Sequence, residues 1–411
     1  MIKRKSAIFR NIDYMVVVIG LLLVYFSIVI PFGYFQSLHS IMFITPDAQS
    51  YRSVGDWLLG SQDIVNPLIR PFLYPLLLVI ARVIANDYGI WFFQFVLWLF
   101  SGVLVYRVIK MVTQNPYMPV IGIFLFASNI TLLLLTLHAL TEITTISIIT
   151  ILITSIINRK NIDENHYWLL IIFLLSLLVL LKPLFFPLWV ILLTYRVVTF
   201  IHSMLLQQLN WKYLGYIVIA VLPVLLQLLL MTIKFNEFTV SNIGSEALKT
   251  YYFARVYGEV NSIPVEQARM VTTSYGQGQI FRYLLSHIDT SAQIYIKTIS
   301  ENLLAKSNFI IYPKPNIYLS TYMRLLNIVY FIMHVVMIPA SIIAMIRLYK
   351  KKYLAETQII LSLIVLLLFI FFTSGITYWQ GDRIILPSLP VWLTLYSVVI
   401  SKLRGIRKVH S

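Results

Sequence analysis

The sequence has no cysteine, and only 12% of its 411 residues are charged. The first absence excludes disulfides, thiolate metal sites and a cysteine nucleophile. The second excludes an ordinary soluble domain, in which about 25% of residues are charged. There is no internal repeat, and no pair of broken apolar segments in matching halves of the kind that marks many transporters. Acidic residues are scarce, 16 against 32 Lys and Arg, for a net charge of +16. On a soluble chain that excess would suggest nucleic acid. Here the basic residues sit between apolar blocks, so orientation in a membrane accounts for them and no nucleic-acid partner is expected.

What fills the chain is apolar. Hydrophobic residues make up 59% of it, and the mean hydropathy is +0.83. They come in blocks of roughly 18 to 22, enough for a helix to cross about 30 Å of hydrocarbon. An all-α, multi-pass membrane protein is predicted. The candidate spans are 13–32, 88–107, 117–137, 140–157, 167–181, 183–201, 213–233, 323–347, 355–374 and 384–401. The first has no small-residue cleavage site after it and reads as a retained anchor. A further block, 71–85, reaches only about 22 Å as a helix. It carries Arg82 and has prolines at its start.

Charge decides the status of that block. Lys3, Arg4, Lys5 and Arg10 at one end, and Lys402, Arg404, Arg407 and Lys408 at the other, place both termini in the cytoplasm. Both termini inside demands an even number of crossings. With ten spans, Arg107/Lys110, Arg159/Lys160, Lys212 and Arg347/Lys350 to Lys352 all fall inside, whereas an eleventh span would expel Arg159 and Lys160. Block 71–85 is therefore expected to lie as a juxtamembrane helix in the outer interface. The division that follows is a membrane catalytic module over 1–233 with its first outer loop at 33–87, a large outer loop at 234–322, and C-terminal membrane helices over 323–411. The large loop carries helical signals. Pro264 can open a helix with Glu266 in its first turn, and Ile280, Leu284, Ile288, Ile294, Ile299 and Leu303 recur at helical spacing. Two or three amphipathic helices are predicted there.

The stretch Thr45 to Pro75 concentrates charge beside the first span: Asp47, Arg52, Asp56, Asp63 and Arg70. Asp47 follows Pro46 at the start of a helical pattern, where it can cap the helix or serve as a general base fixed by that helix. Glu142 lies at the outer end of a span, four residues after His138. That spacing puts both on one helix face, as a functional carboxylate, a metal pair or an interfacial cap; acids in spans are costly and usually functional. Lys182, in LLKPLFFP, can snorkel or hold a phosphate as a point charge. Asp382 and Arg383, in YWQGDRIILPSLP, read either as an exposed interfacial pair or, through Arg383, as a two-pronged phosphate grip. Tyr378 and Trp379 suit an interfacial aromatic belt. Arg70, before Pro71, is a third candidate phosphate ligand.

These residues resemble those of the GT-C superfamily of glycosyltransferases that use polyprenyl-phosphate sugars, and within it the aminoarabinose transferase and protein O-mannosyltransferase branch. PDAQSYRSVGDWLLG is similar to that group's first-loop motif of an acid, a tyrosine and a helix ending Leu-Leu-x-Gly. RPFLYPLLL is similar to its Arg-Pro-Pro-Leu-Tyr-Pro segment. LTEITTISIITILI, LKPLFFPLWVILL and DRIILPSLPVWL follow in the family's order, and IPVEQARMVTTSYGQGQIFRYLLSH resembles a loop of some relatives. The likeness spans about Asp13 to Ile400. Departures are Asp56 as the next acid of the first loop, Glu142 where some relatives have Asp, and Lys182 where Arg is common.

The resemblance implies a GT-C-like fold and transfer of a sugar from a polyprenyl-phosphate donor to a glycan, lipid or protein acceptor at the outer face of a bacterial inner membrane. Asp47 would be the base. Arg383 and Lys182, helped by Arg70, would hold the departing phosphate, and Tyr51 and Asp382 belong to the same substrate-binding motifs. Glu142 would position the acceptor or, with His138, hold a divalent ion; fixed cations can do that electrostatic work without a metal. One base and no covalent step imply inversion at the anomeric carbon. A lipid-linked sugar flippase would use the same cations without a base. A polysaccharide polymerase or ligase would draw on Arg255, Arg282 and His287 of the large loop. A scaffold that has lost activity is the third alternative.

Overall fold

The computed structural model describes residues 2–61, 70–205, 211–307, 316–378 and 380–407. Asp63, Trp379 and Lys408 lie outside these. The helices are α1 (Ile2–Val29), α2 (Leu38–Met42), α3 (Pro46–Leu58), α4 (Leu73–Val112), α5 (Tyr117–Ala127), α6 (Ile130–Leu134), α7 (Glu142–Ile157), α8 (Glu164–Leu181), α9 (Phe186–Leu205), α10 (Trp211–Phe235), α11 (Ile243–Ala247), α12 (Ala254–Asn261), α13 (Val265–Thr272), α14 (Gln277–Ser286), α15 (Ile288–Leu304), α16 (Ile317–Lys350), α17 (Leu354–Ser374) and α18 (Leu389–Arg407). Among the described residues there is no strand. The protein is an all-α, multi-helix membrane protein.

Each of the ten apolar blocks is helical over most of its length. Among the described residues six helices are long and apolar enough to cross a membrane, or seven when the bent pair 117–137 counts as one, and Asp13–Val29 and Glu142–Ile157 are shorter apolar helices. α18 begins at Leu389 because Gly381–Ile384 and Leu386–Ser388 are 3-10 turns. The 117–137 block bends by 58° between α5 and α6, where Asn129 caps α6 by accepting from the Leu132 amide at 2.8 Å.

Helix α4 breaks at Ala85 and Asn86, the latter at φ +53°. Its first part, from Leu73, is therefore a separate helix from the apolar stretch after Asp87. This matches the separate helix expected at 71–85. Gly89 makes the reversal possible. A Cβ there would sit 2.0 Å from the Ala81 carbonyl oxygen, which belongs to backbone and cannot swing aside.

The core is continuous across the bundle. α4 packs against α5, α7 and α18, and α8 against α7 and α10. Several polar side chains inside it pair with one another, as most buried groups do. Ser101 and Ser147 bond at 2.8 Å, and Tyr25 meets Thr136 at 2.7 Å and the Trp91 indole at 2.8 Å. The outward faces of the long helices expose Leu23, Phe124, Ile191 and Val335, as lipid-facing surfaces do. Residues 243–304 form five α-helices, α11 to α15, joined in part by a π-helical stretch at Leu248–Phe253. That is more than the two or three predicted, because short helices broken by Ser262–Pro264 and Ser274–Gly276 carry too little periodicity to register singly. Arg255 holds this loop together with two bonds to Glu301, at 2.8 and 2.9 Å. α15 in turn packs on α16, α17 and the turn Gly381–Ile384.

Gly89→Ala is expected to destabilise the protein by about 1–3 kcal/mol, as overpacking does. Thermal unfolding in detergent measures this; an unchanged midpoint would contradict the tight reversal at Asn86.

Candidate active site

Thr45 caps α3, its hydroxyl accepting from the Ala48 amide at 3.1 Å, and Pro46 occupies the first helical position. Asp47 thus stands in the first turn, where the positive end of the helix favours a carboxylate. The capping role belongs to Thr45, which leaves both Asp47 oxygens for other partners. One accepts from Arg70 Nη2 at 2.5 Å, and the other is bonded by Arg383 Nη2. Arg383 Nε lies 3.0 Å from Glu142 Oε1, and the same oxygen lies 3.0 Å from Lys182 Nζ.

The result is one chain of alternating charge: Lys182, Glu142, Arg383, Asp47, Arg70. Its members come from the turn after α8, the start of α7, the turn before α18, the start of α3 and the segment before α4. Glu142 is 1% exposed, Lys182 and Arg383 are each 7% exposed, and the Asp47 side chain remains 28% exposed. Asp47, flanked by Arg383 and Arg70, is thus the most open member of a largely buried chain carrying three cations and two carboxylates. Burial pushes the Asp47 carboxyl up, but the guanidinium groups of Arg383 and Arg70 outweigh it and hold it below the usual carboxylate range.

Tyr51 completes one side. Arg70 stacks over its ring at 4.5 Å, donates to its hydroxyl at 3.3 Å, and donates through Nε to Ser50 at 2.8 Å. Tyr74 meets Tyr51 edge-on at 5.0 Å. Two buried polar atoms beside the chain, Glu142 Oε2 and the Tyr74 hydroxyl, have no hydrogen-bond partner among the described residues.

Asp382 has a different place from its neighbour. It accepts from Thr131 Oγ at 2.7 Å, from the Ser307 amide and hydroxyl at 3.0 and 2.7 Å, and from Asn327 Nδ2 at 3.2 Å. With both oxygens used and 2% exposure, it anchors the turn that carries Arg383. The alternative of an exposed Asp–Arg pair does not hold, since both residues are buried. Gly381, at φ +59°, lets this turn close: a Cβ there would lie 2.9 Å from the Lys306 carbonyl. The Asp382 amide donates to the Ala305 carbonyl at 2.8 Å, and the Arg383 amide to Ser307 at 3.1 Å.

Other expected residues fall elsewhere. Asp56 pairs at the surface with Arg82 at 3.3 Å and Arg52 at 3.8 Å. His138 is buried, its carbonyl accepting from Gln94 at 2.7 Å. Among the described residues no three His, Asp or Glu side chains group to hold a metal, and Glu142 is already shared by two cations. The residues present do not fit a divalent ion on His138 and Glu142. Arg255 is committed to Glu301 and Thr298 and stacks on Tyr378 at 4.2 Å.

Several supports were not expected. Gln227 accepts from the Phe72 amide at 3.1 Å and donates to the Val240 carbonyl at 2.9 Å, tying the Arg70–Phe72 segment to α10. A lone amide in an apolar span was the available signal. Ser307, Asn327 and Thr131 gave none, being ordinary polar residues distant in sequence.

No protein-family model matches the sequence, and no curated protein matches it. A solved structure to which the chain is similar is that of ArnT from Cupriavidus metallidurans bound to undecaprenyl phosphate. The identity is 14% and the TM-score 0.46, over 96% of this chain and 63% of that one. This chain therefore covers less than two thirds of that protein's length. Its own buried charges define what its site can do.

Two outcomes are expected. Asp382→Asn places a donor among donors and should cost about 1–3 kcal/mol, read as a lower thermal midpoint; an unchanged midpoint would remove Asp382 as the anchor. Because the Asp47 value is depressed on folding, its stabilisation is present above the ordinary carboxyl value of about 4 and is lost as pH falls through the depressed one. The stability gap between wild type and Asp47→Asn should be flat from about pH 5 to 8 and close only under stronger acid. A gap that changed steadily across neutral pH would contradict this.

Proposed function

We propose that the protein transfers a sugar from a polyprenyl-phosphate donor to an acceptor hydroxyl at the outer face of a membrane, with inversion at the anomeric carbon. The observation that carries this reading is the chain Lys182–Glu142–Arg383–Asp47–Arg70, which buries three cations and leaves one carboxylate open. Such a set suits a reaction in which a hydroxyl loses a proton while a phosphate departs.

In this mechanism the donor phosphate lies against Arg383, with Lys182 and Arg70 beside it. Fixed cations in a buried site stabilise departing charge without having to reorganise. Asp47 takes the proton of the acceptor hydroxyl as that oxygen bonds to the anomeric carbon. The carbon–oxygen bond to phosphate breaks on the opposite side, and the phosphate leaves with the bonding pair.

At rest Asp47 is a weak base, because two guanidinium groups hold it. A phosphate that draws on those same groups loosens their hold and raises its basicity. Base strength would then arrive with the donor. Glu142 Oε2, with no hydrogen-bond partner among the described residues, is the group to orient the acceptor. No step needs a metal. The polyprenyl tail would reach the site between helices; the termini would lie in the cytoplasm, by the charge distribution described above, and the membrane would be a bacterial inner membrane, as the family resemblance implies.

The test is donor consumption. Purified protein is supplied with radiolabelled polyprenyl-phosphate monosaccharides and a membrane extract as acceptor. Wild type should release label from the carrier, and Asp47→Asn should be slower by about a hundredfold or more, the usual contribution of a positioned base. Equal rates would refute Asp47 as the base. Donor that crosses the bilayer unconsumed would replace the transferase by a flippase.

A further inference from the structure

At the other end of the bundle a second cationic site is built from different residues. A cavity of about 250 Å3 opens where α4, α7 and α18 finish and α8 and α17 begin. Arg159, Lys160 and Lys402 line it, with Glu356, Gln358 and Tyr167. Glu142 and Ile157 mark opposite ends of α7, so about 22 Å of helix separates this cavity from the charge chain.

Charge is unbalanced in this cavity. Three cations face one carboxylate, Glu356, which lies 3.6 Å from Lys402. Arg159 is oriented by a 2.9 Å bond to Gln358 Oε1 and by stacking 5.3 Å from the Tyr167 ring. Lys160 pairs with no acid among the described residues. The remaining wall is apolar, with Met111 from α4 and Ile156 from α7. Five elements converge on the space, so it is a cleft within the bundle and not one basic helix face.

We infer that this cavity binds the phosphate headgroup of an anionic membrane phospholipid. Each feature has a counterpart in that ligand. The guanidinium of Arg159 offers a planar fork to phosphate oxygens, and the two ammonium groups add point charges. The apolar wall suits the glycerol and first acyl carbons, which a free phosphate would leave uncovered. Basic pockets between membrane helices commonly take phospholipid headgroups, whereas the same cations spread over a surface attract them only diffusely. The inference does not depend on the proposed transferase activity.

The test uses the full chain in detergent, titrated with phosphatidylglycerol, phosphatidylcholine or inorganic phosphate and read by native mass spectrometry. Wild type should bind one phosphatidylglycerol at least about tenfold more tightly than phosphatidylcholine, given about a fivefold gain per nearby cation. R159Q/K160Q/K402Q should abolish that preference. If the triple variant does not fold, R159Q and K402Q singly should each lose about fivefold. E356Q should tighten binding, because it removes the opposing charge. K350Q/K351Q, which changes lysines at the same end of the bundle outside the cavity, should leave the preference intact. A preference that survived loss of the cavity cations, fell equally in K350Q/K351Q, or weakened in E356Q would overturn the site. Inorganic phosphate bound as tightly as the lipid would overturn the lipid assignment.

Discussion

Three charged side chains, Glu142, Lys182 and Arg383, are buried together, with Asp47 and Arg70 partly buried beside them, and mutual pairing is what makes that burial tolerable. A single carboxylate or ammonium taken out of water costs several kcal/mol even after the protein relaxes. Glu142 and Arg383 can be buried because each meets two opposite charges: Lys182 and Arg383 for Glu142, Glu142 and Asp47 for Arg383. Removing Glu142 or Arg383 strands buried neighbours. Asp47 differs, being partly open and held by two arginines that a phosphate could also claim. The arrangement is closed around Glu142 and open at Asp47, which suits a site for a departing anion.

Much of the surrounding architecture fixes that chain. Thr45 and Pro46 set the start of α3 so that Asp47 points out of its first turn. Gln227 ties the segment after Arg70 to α10. Asp382 gathers Thr131, Ser307 and Asn327, and thereby joins α6, the end of the large loop and α16 beneath Arg383. The large loop therefore braces the site through Ala305 to Ser307, whatever else it contacts. The Arg255–Glu301 pair does similar work inside that loop, which accounts for its burial without a catalytic role.

Sequence carried some of this and not the rest. The helical class followed from apolar runs, and the separate helix after Arg70 followed from counting basic loops. Asp47, Glu142, Lys182, Arg383 and Arg70 stood out because charge is rare in this chain, and each sits beside a proline or at a span end. Their order in space was not legible: nothing in the spacing shows Arg383 bridging Asp47 and Glu142 across 336 and 241 positions. Asp382 was grouped with Arg383 because it adjoins it, and only side-chain direction separates an anchor from a ligand. The metal pairing of His138 with Glu142 rested on helical periodicity, but His138 precedes α7 and lies in extended backbone. Nor was it legible where an apolar run stops being helix: the 384–401 block opens on a 3-10 turn, and α18 begins only at Leu389.

The central claim is that the charge chain holds a lipid phosphate by competing with Asp47. Calorimetric titration of the purified protein with a short-chain polyprenyl phosphate tests it most directly, comparing wild type, Arg383→Gln and Asp47→Asn. The account predicts one binding site in wild type, loss of binding in Arg383→Gln, and tighter binding in Asp47→Asn, where the competing carboxylate charge is gone. Binding unaffected by Arg383→Gln, or weakened by Asp47→Asn, would contradict it.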